Sequence, residues 1–239
     1  MKFERTRVCG FENALYGMRN AKNSWSKVDS KFGFCSNSEA QGMVILHKNN
    51  SIVEYAIIGE NDMKLAQTLI KAGSKHRKWL RQVQCEVIIT APIYWWEEFS
   101  TYKVGTVANS TSTMHKLNST PITMDCFEMD DFEDVEVESA NNNNIGNMTF
   151  WWSAMIEVLE NLRKKYWKEL IRLLLESWLQ KRTVTMNYEN LLSMVNQRGQ
   201  HKLNEWSEKD DSSKPNFISW VKSLPYAQEL LFLDENKEH

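Results

Sequence analysis

Hydrophobic and polar positions change their period along this chain. In "GMVILHKNNSIVEYAIIG", Gly42 to Gly59, two short apolar runs flank Lys48-Asn49-Asn50, which predicts two strands joined by a tight turn. The next stretch, "ENDMKLAQTLIKAG", places Leu65, Leu69 and Ile70 on one stripe of a helix that Gly73 can end. "QCEVIITAP" then reads as a buried strand limited by Pro92. From Met148 to Gln180 the spacing turns helical, with Ile156, Leu159, Leu162, Tyr166, Leu170, Leu173 and Leu174 at three- and four-residue steps. Glu157 and Glu160 precede Arg163 and Lys164 and add surface ion pairs, and the helix is read as core. A second helix is expected over Tyr188 to Trp206, and a third from near Pro215, interrupted at Pro225.

Strands and helices in this order predict an α/β (α+β) fold: one domain over residues 1–239, with a central mixed sheet and long C-terminal helices. The acidic run Asp125 to Glu138 and the polar tract Asn141 to Asn144 read as a solvated loop or insertion near 125–147. No glycine-centred loop accompanies the acids, so calcium is not expected, nor is any other metal.

Composition narrows the class. A net charge of -2 over 239 residues gives no general attraction to nucleic acid, so any anion site must be local. The four cysteines, Cys9, Cys35, Cys85 and Cys126, form no C-x-x-C pair and fit reduced thiols. No apolar run approaches the about 20 residues that cross a bilayer. "MKFERTRVCG" lacks the apolar core of a signal peptide, so a cytoplasmic protein is expected.

No nucleophile elbow, P-loop or dinucleotide fingerprint is present, and the histidines occur in no spacing that defines a triad. Polar chemistry is instead distributed. "GSKHRKWLRQ" clusters Lys75, His76, Arg77, Lys78 and Arg81 ahead of a strand, as an anion site or as a solvated basic turn. In "EEFSTYKVGTVANSTSTMHK" the hydroxyls of Ser110, Thr111, Ser112 and Thr113 suit phosphate oxygens, and equally a polar strand or loop. Trp95 and Trp96 raise the possibility of stacking platforms for nucleic acid bases, against which stands the general tendency of large aromatics to be core.

Taken in order, these segments resemble the flavin-dependent thymidylate synthases. In that family a helix ends in a Gly-His segment, a strand reaches Ala-Pro, aromatic residues follow, and then comes R-H-R-x-x-S-x-N-E-x-S-x-R-Y. Here His76 falls at the family's histidine, counted back from Ala91-Pro92. Thr101, Tyr102 and Lys103 occupy the R-H-R positions, Thr106 the first serine and, after one extra residue, Asn109 and Ser112 the Asn and second Ser. The family's Asn-x-Arg-Ser-Leu helix and later arginine are matched by Asn187, Leu191 and Arg198. The departures are Ser110 for Glu, Met114 for the phosphate-binding Arg, His115 for Tyr, and Glu189 for the Arg of the second motif.

The resemblance implies a homotetramer with sites built from several subunits. It implies transfer of a methylene group from methylenetetrahydrofolate and a hydride from FAD, reduced by NADPH, to a deoxyuridylate-type pyrimidine nucleotide. By the same resemblance His76, Lys103 and Asn187 would lie near the flavin. Ser112 and Asn109 would meet the nucleotide, and Arg198 would bind substrate and act catalytically by polarising the uracil carbonyl. The alternative is a non-catalytic descendant of the fold that binds a nucleotide or a protein.

Overall fold

The computed structural model describes residues 1–129, 132–139, 144–207 and 214–233. Asp130 and Asp131 of the acidic run and Asn141 to Asn143 of the polar tract lie outside the described residues. The chain runs β1 (Lys2–Cys9), α1 (Phe11–Met18), β2 (Lys31–Ser36), β3 (Val44–Asn49), β4 (Ile52–Ile57), α2 (Glu60–Lys71), β5 (Gln84–Pro92) and α3 (Ile93–Phe99). It continues through β6 (Val107–Ser110), α4 (Thr113–Ser119), β7 (Glu136–Glu138), β8 (Asn144–Asn147), α5 (Met148–Lys165) and α6 (Trp167–Leu173). The last elements are β9 (Leu179–Asn187), α7 (Tyr188–Arg198), α8 (Phe217–Lys222) and α9 (Ala227–Leu230). This is a mixed α/β fold, with sheets ordered β1-β5-β9-β6, β2-β4-β3 and β7-β8.

The chain divides into two compact units: residues 1–2, 90–101 and 109–182, and residues 3–89, 102–108 and 183–239. In the second, the expected hairpin forms, with β3 and β4 antiparallel and Asn50 at φ 45 in the turn. The expected helix is α2, and Gly73 at φ +94 follows its end in a conformation that favours glycine. Asp62, on α2, is fully buried and accepts from Arg19 Nε at 2.7 Å, from the backbone N–H groups of Asp29 and Ser30 at 3.1 Å, and from Ser30 Oγ at 2.6 Å. A carboxylate withdrawn from water needs such saturation. It ties α1 and the β2 lead-in to α2.

In the first unit, Trp95, Trp96 and Phe99 of α3 pack ring against ring at 4.9–5.4 Å, and both tryptophans are 0% exposed. They are core, which removes the stacking-platform reading of this pair. A further cluster joins Leu117, Ile122, Phe127, Leu159, Leu170 and Trp178. Glu160 braces it, accepting the Ile122 N–H at 3.0 Å and pairing with Arg163.

The C-terminal elements differ from the sequence expectation. The long helix stops at Lys165, because Tyr166 takes φ -133, ψ 63, and α6 ends at Leu173. Residues 179–187, the first of them assigned to that helix, form β9, where the β-branched Thr183, Val184 and Thr185 favour an extended chain. Nor is α5 wholly core: Leu159 is its buried residue, while Phe150, Trp151 and Val158 are exposed. The second helix is α7 and ends at Arg198, with residues 199–207 in turns. The break at Pro225 is as expected, between α8 and α9.

Two outcomes test this packing. Asp62→Ala strands a buried guanidinium and two backbone N–H groups and is expected to cost about 3–5 kcal/mol in urea unfolding. Glu160, held to a pKa of about 2 chiefly by its hydrogen bonds from Arg163, contributes stability that is full above its ordinary 4.5 and is lost as pH falls toward 2. The melting temperature of the wild type should therefore fall over that window more steeply than that of Glu160→Gln.

Candidate functional site

In the second unit the candidate residues gather on α7 and the turn that faces it. Asn187 ends β9 and caps α7: its Oδ1 accepts the Asn190 N–H at 3.0 Å, and Asn190 Oδ1 accepts the Asn187 N–H at 3.3 Å. This reciprocal box satisfies donors that a helix start leaves without partners. Asn190 Nδ2 also donates to the Val104 carbonyl at 2.7 Å. Gly105 beside it has φ +78, and a Cβ there would lie 2.7 Å from Asn187 Nδ2 and 2.9 Å from Asn190 Oδ1. Only glycine lets the turn after Lys103 settle on the cap. Asn187, expected near a flavin, is 8% exposed and serves the helix start.

The far end of α7 holds Arg198. Its Nε donates to the Tyr102 hydroxyl at 3.0 Å, and that hydroxyl donates to Gln197 Oε1 at 3.0 Å. The guanidinium lies 4.9 Å from the ring centre of Trp206 and 5.7 Å from that of Tyr102. Tyr102 stands at the second R-H-R position, so the departure there is a residue that orients Arg198. Lys103 and His76 are exposed, and among the described residues neither side chain has a hydrogen bond or ion pair. Gln197 also lines a cavity of about 1140 Å³ with Arg77, His201 and Lys202 on a floor that includes Leu192 and Phe232.

Glu189, the replacement for the arginine of the second motif, has a definite structural consequence. It accepts from Arg77 at 3.3 Å and from Arg81. Burial works to raise its pKa, but the hydrogen bonds from Arg81 and Arg77 outweigh that and the net shift is downward. Two cations of "GSKHRKWLRQ" are thus paired within the fold, while Lys75, His76 and Lys78 remain exposed.

In the first unit, the end of β6 and the residues after it are solvent-facing from Asn109 to Ser112. The Thr111 N–H donates to the Lys181 carbonyl at 2.9 Å, which pins the backbone and leaves Asn109 and Ser110 side chains outward. Ser112 caps α4 by accepting the His115 N–H at 3.3 Å. Met114, where the family has its phosphate-binding arginine, is 60% exposed, and Lys116 reaches back to the Leu179 carbonyl at 3.2 Å and over the Trp178 ring at 4.8 Å. Sequence reasoning missed Arg182, whose guanidinium lies 4.3 Å from the Trp96 ring centre. The available signal is β-alternation, which places Gln180 and Arg182 in register with the buried Val184 and Met186; the helical period that runs on to Gln180 masks it.

No family model and no curated protein match the chain. Among solved structures it is similar to the flavin-dependent thymidylate synthase of Helicobacter pylori complexed with FAD and dUMP, with TM-score 0.57 and 14% identity over 98% of this chain and 99% of that one. A second structure of that enzyme with FAD and dUMP gives the same TM-score and identity over 100% of both chains. The chain has the fold of a flavin-dependent thymidylate synthase. The likeness extends over the whole length of both proteins, so the fold expected from the motif order is the fold that forms. Among the described residues no helix is long and apolar enough to cross a membrane.

The cap at Asn187 yields a prediction that separates architecture from ligand contact. Asn187→Ala should lower stability by about 1 kcal/mol in urea unfolding, and Asn187→Asp, which keeps an accepting oxygen, should recover most of it.

Proposed function

We propose that the protein is a thymidylate-synthase-like enzyme that binds a pyrimidine deoxynucleotide of the deoxyuridylate type and transfers a methylene group and a hydride to it. The observation that carries this reading is the set of polar side chains that the fold leaves outward: Asn109 and Ser110 on β6, and separately His76 and Lys103. Hydroxyl, amide, imidazole and ammonium groups suit phosphate and heterocycle oxygens, and their chemistry fits both a nucleotide and FAD. His76 and Lys103 would hold the flavin. Asn109 and Ser112 would meet the nucleotide.

When bound, FAD reduced by NADPH would supply the hydride and methylenetetrahydrofolate the one-carbon unit. The chain's own part is orientation. Arg198, fixed by the Tyr102 hydroxyl and the Trp206 ring, would present positive charge to the uracil carbonyl, where electron density builds during hydride addition. Asn187, by closing the start of α7, would set where Arg198 stands and act on the flavin side through position. A homo-oligomer, a tetramer by resemblance, is part of the proposal. The exposed Phe150, Trp151 and Val158 on α5 and Ile171 and Leu173 on α6 support it, since solvent-facing apolar side chains in such number favour a covered surface.

A second reading, a non-catalytic descendant that still binds a nucleotide or a protein, is favoured by one observation. Arg77 and Arg81 are paired with Glu189. The visible spectrum of the purified protein after incubation with FAD, with and without deoxyuridylate, decides between them. The enzyme reading expects retained flavin bands that shift with nucleotide, together with turnover that falls at least about tenfold in Arg198→Lys, because an ammonium lacks the guanidinium fork. Protein that stays colourless in both samples refutes the flavin enzyme and leaves the second reading.

A further inference from the structure

Arg182 stands apart from the arginines of this chain that meet a carboxylate. Arg19, Arg77, Arg81, Arg163 and Arg172 each meet a carboxylate. Arg182 is half-buried on β9, and among the described residues no acid lies within ion-pair range of it. Removing a charge from water without a counter-charge is unfavourable, and burial accordingly lowers its pKa. The Trp96 ring face, 4.3 Å away, offsets part of that cost and holds the guanidinium plane.

Its orientation is fixed further. Nε donates to Gln180 Oε1 at 2.9 Å, and Gln180 Nε2 donates to the Thr111 carbonyl and to Thr113 Oγ1, both at 3.2 Å. The amide of Gln180 therefore joins Arg182 to the hydroxyl-rich segment, with each group in a defined sense. One guanidinium donor is used in this chain, and the terminal nitrogens keep the paired geometry that matches two oxygens of one phosphate. Lys116, another basic side chain of this unit, is held by the Leu179 carbonyl and the Trp178 ring. Position 114 offers a methionine.

We propose that Arg182 binds the phosphate of the nucleotide, supplying from β9 the cation that position 114 lacks, beside the hydroxyls of Ser112 and Thr113. The inference rests on the nucleotide-binding reading above and extends it to a residue that the motif resemblance does not mark. It makes Arg182 the source of discrimination between a nucleotide and its nucleoside. Trp96 and Gln180 are positioning residues that act through it.

Calorimetric titration of the purified protein with deoxyuridylate and with deoxyuridine tests this. The wild type is expected to favour the nucleotide by about tenfold or more, the gain from one charge-assisted pair. Arg182→Met should erase that preference while leaving deoxyuridine affinity unchanged. Arg182→Lys should restore part of it, and near-ultraviolet circular dichroism checks that each variant is folded. A folded Arg182→Met that still prefers deoxyuridylate as the wild type does overturns the role of Arg182 and leaves the nucleotide reading standing. A wild type that binds both ligands equally also overturns it. A wild type that binds neither overturns the nucleotide reading and this inference together. Should Arg182→Met not fold, Arg182→Lys decides: a reduced preference supports the assignment, and an unchanged one refutes it.

Discussion

The reciprocal cap between Asn187 and Asn190 is the constraint on which the polar geometry of the second unit depends. A strand that runs directly into a helix must satisfy the helix's first N–H groups at once, and here two asparagine side chains do so. With the start of α7 fixed, everything along it acquires a position. Glu189 meets Arg77 and Arg81 one residue before Asn190, and Asn190 takes the Val104 carbonyl. Near its end, Gln197 and Arg198 meet the Tyr102 hydroxyl. The turn at Gly105 can approach only because no Cβ stands between it and the cap.

A distinction between polar groups that serve the fold and polar groups that remain outward runs through both units. Asn187, Glu189, Lys116 and Tyr102 are engaged in caps, pairs and stacks. His76, Lys103, Asn109 and Ser110 are outward. Arg182 belongs to neither class, since it is partly withdrawn from water, rigidly held and lacking a carboxylate. That combination carries more functional weight than exposure alone, because surface lysines and serines need no explanation whereas an uncompensated charge does.

At 14% identity the fold persists over full length although the resemblance in sequence is confined to short motifs. Fold tolerates this divergence because a core asks for apolar volume in the right register, which many sequences supply. A site asks for particular groups in particular directions. The departures at Thr101, Tyr102, Met114 and Glu189 from the motifs the chain resembles therefore leave the architecture undisturbed. Three of them are absorbed structurally: Thr101 closes its own helix by donating to the Glu98 carbonyl at 2.8 Å, Tyr102 takes the Arg198 Nε bond, and Glu189 recruits two arginines.

By itself the sequence determined the elements whose periodicity is strong and whose ends are marked. The β3–β4 hairpin with its Asn50 turn, α2 with Gly73 beyond its end, β5 closing at Pro92 and the break at Pro225 were all legible. So was the α/β order that led to the fold. Tertiary structure decided the rest. The helical period that runs through Leu173 carries on to Gln180 in the sequence, and pairing within the sheet, with the β-branched residues at 183–185, made residues 179–187 extended. Trp95 and Trp96 carry no local mark of burial, and the cluster they form with Phe99 put them inside. The partners of Glu189, the Tyr102–Arg198 contact and the bonds from the Gln180 amide to Thr111 and Thr113 join residues far apart along the chain. Local pattern encodes which face of an element is buried, and it cannot encode which distant side chain completes a charge.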